Sequence, residues 1–317
     1  MIDLRHGDCL EKMKEMESKS VDLILCDPPY ELNFMNRGWD DTGIAFNSDM
    51  WKEVYRLLKD DGYLMAFSGT RTYHRMAKAI EEAGFEIVGL TDYTYGSGFP
   101  KALSIDKALD KLLGVEREVV GVKIKKAGDM RSGSYGKGGN YADISIDITK
   151  PSSDIAKQYE GYKTSIKPSR EPIVIAKKKS NTNNIDFLPF IYCAKASKKE
   201  RNGDIYGNPI SGELKQKIFN GKSNKSSTEM KDVEKRFTTQ PMVNNHPTVK
   251  PLKIMKECAK QVIKDKDITI LDMFAGSGST GVAIEQLNIE TGSNHKTILI
   301  ERESEYIEII KKRCCIK

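Results

Sequence analysis

Two groups of residues in this sequence have the types and spacing to do chemistry. The first is Asp27-Pro28-Pro29-Tyr30, at the end of the apolar run Val21-Asp22-Leu23-Ile24-Leu25-Cys26. That run suits a strand buried on both faces, and two consecutive prolines end it because they lack the N–H that ladder pairing needs. Beyond the stop come a carboxylate, two rigid peptide units whose carbonyls hold fixed directions, and an aromatic ring. All of them lie at the carboxyl end of a sheet strand, where open α/β folds place ligands. Four residues alone also fit an ordinary strand exit, in which Pro-Pro only ends pairing and Tyr30 packs.

The second group is Gly276, Gly278 and Gly281, spaced G-x-G-x-x-G, with Glu301 20 residues beyond the third glycine. The glycines follow Ile268-Thr269-Ile270-Leu271-Asp272 and open a helix, and Glu301 ends the strand Thr297 to Glu301, which is a full nucleotide-binding fingerprint. Gly276 and Gly278 permit close backbone approach, and Glu301 can accept both ribose hydroxyls. A nicotinamide-dependent dehydrogenase uses the same fingerprint. Its sheet, however, continues through several βα units after the acidic strand, and only 16 residues follow Glu301. The rest of the sheet must therefore come from upstream in the chain.

The periodicity supplies it. Met1 to Leu4 reads as a strand turning into a helix with Leu10, Met13 and Met16 on one face. After Val21 to Cys26 come a helix capped by Ser48 with Trp51, Val54, Tyr55 and Leu58 on one face, ended by Gly62, and a strand Tyr63 to Phe67. A helix from Met76 to Ala83 and a strand from Phe85 to Tyr95 follow. From Gly96 to Pro168 the period breaks, with one helix (Ser104 to Leu113), a strand-like Val119 to Ile124 and a Gly/Ser/Lys stretch from Ala127 to Asn140. Glu171 to Ala176 resumes as an apolar strand, expected to run antiparallel beside Phe85 to Tyr95. Pro251 opens a helix with Ile254, Met255, Cys258, Val262 and Ile263 on one face, and Glu305 to Arg313 is a last helix.

At 317 residues with 38% hydrophobic content the chain can build a sizeable core. No apolar run approaches the roughly 20 residues of a membrane helix, and Met1-Ile2-Asp3-Leu4-Arg5 has no signal-peptide pattern, so the expected location is cytoplasmic. The six cysteines include no Cys-x-x-Cys pair, which points to free thiols and no metal. The net charge of +6 is concentrated. Residues 117–137 carry six Lys/Arg against two Asp/Glu, and residues 195–236 carry eleven against six, so the remainder is negative. These segments hold Lys123, Lys125, Lys126 and Arg131, and Lys198, Lys199 and Arg201. Such patches are expected where a protein meets phosphates, although a solvated surface gives the same pattern.

Asp-Pro-Pro-Tyr upstream and Asp272-Met-Phe-Ala-Gly-Ser-Gly-Ser-Thr280 downstream together resemble the β-class amino-methylating DNA methyltransferases, in their motif order. His246-Pro-Thr-Val-Lys-Pro251 resembles the segment before the cofactor strand in that family. Gly98-Phe-Pro-Lys101, Lys167-Pro-Ser-Arg-Glu-Pro172 and Tyr192-Cys-Ala-Lys-Ala-Ser-Lys-Lys199 look like its bacterial and phage-borne members, except that Arg170 stands where histidine is expected. The resemblance implies an α/β fold, a Rossmann-like methyltransferase sheet that is circularly permuted and mostly parallel with one antiparallel strand. Residues 1–95 would be the catalytic half, 96–170 a DNA-contacting insertion, 171–194 the return strand, 195–245 a basic insertion for target recognition, and 246–317 the cofactor half.

The activity implied is site-specific methylation of adenine N6 in duplex DNA by S-adenosylmethionine and base flipping, with cytosine N4 as the alternative. Asp27 stands where cytosine N4 enzymes usually carry serine. Asp27 and the Pro28 carbonyl would each accept an N–H of the target amine, Pro29 would stiffen the pair, and Tyr30 would stack on the flipped base. For the cofactor, Asp8, Asp272 and Phe274 are implied, with Ser279 and Thr280 in the loop, Thr280 fitting a helix cap better than a direct contact. Thr248 and Lys250 are candidates for the methionine carboxylate, and His246 for orienting the loop. A homodimer and a cognate restriction enzyme are compatible partners. A protein glutamine methyltransferase also uses a proline pair but has no need of two basic insertions, and a catalytically dead relative would lack residues that are all present here.

Overall fold

The computed structural model of the protein describes residues 1–32, 42–96, 103–125, 144–163, 169–182, 185–206, 244, 246, 248–264 and 266–316. Its strands in chain order are β1 Ile2–His6, β2 Val21–Cys26, β3 Leu58–Phe67, β4 Phe85–Thr94, β5 Val119–Lys125, β6 Ile144–Thr149, β7 Arg170–Lys178, β8 Phe190–Tyr192, β9 Thr269–Asp272 and β10 Lys296–Glu301. The helices are α1 Cys9–Lys14, α2 Ser48–Leu57, α3 Tyr73–Glu82, α4 Ile105–Leu112, α5 Asp154–Gln158, α6 Lys198–Arg201, α7 Leu252–Val262, α8 Ser279–Thr291 and α9 Ser304–Arg313. They form two compact units, one of residues 1–97 with 170–317 and one of residues 98–169.

The first unit is an eight-stranded sheet in the order β1-β10-β9-β2-β3-β7-β4-β8. Every pairing is parallel except those of β7, which runs antiparallel to both β3 and β4. This is the expected mostly parallel sheet with one reversed strand. Thr94 pairs with Arg170, so β4 and β7 form a hairpin whose loop is the whole second unit. Alternation along the buried strands separates two cores. Leu23, Leu25, Met65 and Ile175 pack with α7 and α8, while Ile24, Cys26, Leu64 and Val174 pack with α1, α2 and α3.

The chain direction across the sheet reverses between β9 and β2, which are neighbours although one lies near each end of the sequence. Chain order runs β9, β10 in one direction and β2, β3 in the other, the topological switch point at which open α/β sheets bind ligands. Asp272 and Asp27 both leave the sheet at that point, because Ile24 pairs with Leu271.

Local boundaries differ from the sequence reading where side-chain capping and tertiary pairing outweigh propensity. Helix α2 is capped by Asn47, whose side chain accepts from the Asp49 amide, not by Ser48. Gly62 does not end that helix but lies inside β3, which begins at once after α2. Strand β8, the short helix α6 and the strand β6 were not anticipated. In the second unit β5 and β6 form an antiparallel ribbon, and Arg117 bridges Asp106 and Asp110 at 2.8 and 2.5 Å. Asp110 also accepts from the Ser152 and Ser153 amides and the Ser153 hydroxyl. Burial opposes its charge, but these hydrogen bonds and Arg117 hold its carboxyl at about 2.

Candidate active site

Two aspartates on β2 show what the sheet does with carboxylates. Asp22, at the start of the strand, accepts the Thr269 amide at 2.9 Å and pairs with Lys59 at 2.8 Å and Lys266 at 3.6 Å. Asp27, just past its end, is satisfied on one side only. Lys250 Nζ donates to Asp27 Oδ2 at 2.6 Å, whereas Asp27 Oδ1 is buried and has no hydrogen-bond partner among the described residues. A buried, unpaired acceptor is costly and therefore uncommon in an apo fold, and it is the arrangement expected of a group that waits for a ligand N–H. Burial raises the Asp27 carboxyl above its ordinary range, and the Lys250 ammonium pulls it back down.

The same cluster contains Glu171, at the start of β7. Its Oε2 accepts from the Tyr30 hydroxyl at 2.9 Å and lies 3.2 Å from Lys250 Nζ, and its Oε1 accepts from Lys195 Nζ at 2.6 Å. Burial works against its charge, yet Lys250 and Lys195 hold the carboxyl at about 2. The Lys250 ammonium also lies over the Tyr30 and Phe67 rings at 5.1 and 5.2 Å from their centroids. Two carboxylates and two ammonium groups thus balance in one half-buried cluster.

Beside it the glycine loop is shaped for close approach. Gly276 has φ +55°, and a Cβ there would lie 2.8 Å from His246 Nε2. Gly278 has φ +78° and occupies the N-cap position of α8. At Gly281 a Cβ would lie 2.8 Å from Leu299, so this third glycine serves packing of the helix on the sheet. Both Glu301 oxygens receive backbone N–H groups, Gly276 at 2.7 Å and Glu303 at 2.8 Å. Each oxygen keeps a second lone pair, so the carboxylate can still accept two hydroxyls. Asp272 accepts the Phe274 amide at 3.0 Å and the Thr280 hydroxyl, and burial pushes its carboxyl up to about 7. Thr280 is thus not the cap of α8; its hydroxyl holds Asp272.

His246 packs its ring edge-on against Tyr306 at 4.5 Å. The Thr248 amide donates to His246 Nδ1 at 3.3 Å, which assigns the neutral tautomer with its proton on Nε2. Burial, with Arg201, Lys250 and Arg313 nearby, lowers the imidazole to about 3. Arg313, itself buried on α9, donates to the Ser277 carbonyl at 2.7 Å and reaches the Ser279 hydroxyl at 3.4 Å, bracing the loop from behind. Asp8 lies two residues past His6, which pairs with Glu301 at the end of β1, and caps α1 through the Leu10 and Glu11 amides at 2.9 and 3.3 Å.

The sequence matches the family model described as DNA methylase over residues 21–312. The chain belongs to the DNA methylase family. Among its relatives, the putative methylase YubD of Escherichia coli (strain K12) is 36% identical over 93 residues, covering 28% of this chain and 40% of that protein. The DNA adenine methyltransferase YhdJ of the same organism is 25% identical over 313 residues, 97% of this chain and 81% of that one. Among solved structures, the cytosine-N4-specific PvuII DNA methyltransferase shares the fold with a TM-score of 0.52 at 14% identity, covering 98% of this chain and 86% of that one.

In this DNA methylase the expected site residues divide by location. Asp27 and Tyr30 meet Lys250 in one cluster, with Pro28 and Pro29 between them in the chain; Asp272, Phe274, Gly276, Gly278, Ser279 and Thr280 form the neighbouring loop, with Glu301 and His246 against Gly276. Thr248 is exposed. Lys250, expected toward the cofactor's carboxylate, is bound to Asp27 and Glu171. Of the basic residues, Lys123 is exposed on β5 and Lys199 is exposed on α6. Arg201 donates to the His246 carbonyl at 2.6 Å, so its guanidinium is engaged inside the first unit. The side chains of Lys125 and Lys198, and all of Lys126 and Arg131, lie outside the described residues. Sequence reasoning missed Glu171 and Lys195. The one signal available for Glu171 is a carboxylate at the mouth of an otherwise apolar strand; Lys195 sits in a basic run that looks like surface.

Proposed function

We propose that the protein methylates adenine N6 in duplex DNA at a short specific site, with S-adenosylmethionine as the methyl donor. The observation that carries this reading is the buried Oδ1 of Asp27, without a partner among the described residues, at the sheet's switch point beside a glycine loop followed by an acid-ended strand. The loop fits the cofactor: a side chain at Gly276 would close the space against His246, and Glu301 and Asp272 offer acceptors at the ends of adjacent strands. S-adenosylmethionine, when bound, supplies an electrophilic methyl group on a sulfonium sulfur.

The chain's own residues then act on the amine. An exocyclic amino nitrogen is a poor nucleophile because its lone pair is delocalised into the ring. Asp27 Oδ1 and the Pro28 carbonyl accept its two N–H bonds, favour the tetrahedral nitrogen and stabilise the positive charge it acquires. Once the amine carried the methyl group, Asp27 would take the proton it releases. Tyr30, held by Glu171, offers a ring for the flipped base, whose extrusion costs a few kcal/mol. Asp8, Phe274, Ser279, Thr280, His246 and Thr248 shape the cofactor's surroundings. Lys123, Lys125, Lys126, Arg131, Lys198 and Lys199 supply phosphate contacts.

Adenine is favoured by aspartate at position 27 and by the likeness, over 97% of this chain, to an adenine methyltransferase. Incubation of DNA with the protein and labelled S-adenosylmethionine, then mass spectrometry of the nucleosides, tests both levels. N6-methyladenine is expected, and Asp27→Ala should abolish it while cofactor binding stays within a few-fold. N4-methylcytosine alone would overturn the choice of base.

A further inference from the structure

Lys250 and Glu171 are spent differently from the residues around them. Glu171 is saturated, with Lys195 on one oxygen and Lys250 and Tyr30 on the other. Asp27 is half satisfied, with Lys250 on one oxygen and no hydrogen-bond partner among the described residues on the other. A lysine alone places its ammonium loosely, because four rotatable bonds and three donors allow many positions. Here two carboxylates at 2.6 and 3.2 Å and the faces of two rings define one position.

We propose that Glu171 and Lys250 are a positioning pair for the catalytic carboxylate. Glu171 fixes the Lys250 ammonium and the Tyr30 hydroxyl, and Lys250 in turn holds Asp27 by one oxygen, opposing the burial that raises its carboxyl, with the other turned to the target amine. The reversal of β7 delivers Glu171: only in an antiparallel strand do the first residues, not the last, emerge where β2 and β3 end. Ser68, just past β3, confirms the placement by donating its amide to the Pro172 carbonyl at 2.9 Å. This assignment gives Lys250 a role in the reaction and not in holding the cofactor, and it rests on the reading of Asp27 as the acceptor for the amine. A protonated Asp27 would offer a donor where an acceptor is needed. Among the described residues, the charged or titratable groups facing Asp27 are Lys250, Glu171 and Tyr30, with Cys26 and Asp272 from the strand ends.

Methyl transfer to DNA by the unaltered protein establishes the underlying reading separately. Lys250→Met and Glu171→Gln then test the pair, through cofactor affinity by calorimetry and kcat as a function of pH. In both variants cofactor affinity should stay within about threefold while kcat falls about tenfold or more. The acid limb of the kcat profile should move in opposite directions. Without Lys250 the burial of Asp27 is unopposed and the limb rises to higher pH; without the Glu171 charge a repulsion is lost and the limb moves to lower pH. Lys250→Arg, which keeps the charge, should hold the limb near its original pH, and Lys250→Gln takes the place of the methionine variant if that one does not fold. A tenfold loss of cofactor affinity on changing Lys250, or a Glu171→Gln enzyme with unchanged kcat and unmoved limb, would overturn the proposal.

Discussion

Asp22 and Asp27 belong to the same six-residue strand and its exit, yet one is held by an amide and two lysines and the other keeps a buried oxygen unpaired among the described residues. His246 is the complementary case, a base that the fold keeps neutral by burying it next to cations. Its folded value of about 3 lies below the usual 6.5, so between those values the unfolded chain takes up a proton that the folded site refuses. Stability attributable to this site therefore falls as pH drops through about 6.5. The imidazole Cε1–H resonance of His246 should not titrate between pH 8 and pH 5. A midpoint near 6.5 would show that the ring is solvated and not packed against Gly276.

At the level of elements, β7 carries the sheet and the site together. Ile175, 1% exposed, lies between β3 and β4, and the strand that contains it also presents Glu171. Ile175→Ala removes buried methylenes from a site closed on both sides and should cost about 2–5 kcal/mol in denaturant unfolding. Ile124, 65% exposed on the ribbon strand β5, should cost about 0.5 kcal/mol or less on the same change. Comparable losses at the two positions would contradict the assignment of β7 to the interior.

For the molecule as a whole, the net charge of +6 is outweighed by the excess in residues 117–137 and 195–236, which leaves the remainder acidic. A DNA methylase whose substrate carries a charge on every phosphate gains affinity from such segregation, and that gain is lost in salt. Replacing Lys123, Lys125 and Lys126 by alanine should flatten the slope of log affinity against log salt by about 0.9 for each phosphate contact removed. An unchanged slope would mark this stretch as a solvated surface. Arg201 shows why charge counts alone mislead: it lies in the second basic segment, but its guanidinium holds the His246 carbonyl.

What the sequence by itself determined is what local chemistry determines. Pro28-Pro29 stops a strand wherever it occurs, and the glycine spacing with Glu301 imposes a tight turn before a helix. The strands that complete the sheet beside β9 come from upstream in the chain, as the pairing of β9 with β2 shows. The buried strands were legible because both faces of a parallel sheet need apolar residues. Strand β8, helix α6 and the ribbon partner β6 were not, because short segments are made by pairing and capping with distant residues and carry little period of their own. The site divided in the same way. Asp27 and Gly276 announce themselves through their neighbours in the chain. The bond of Lys250 to Asp27 joins residues 223 positions apart, and Glu171 enters only because β7 is antiparallel. Only the tertiary structure decided these, since a buried lysine takes whichever carboxylates the fold brings within reach, and no local pattern in the chain encodes that distance.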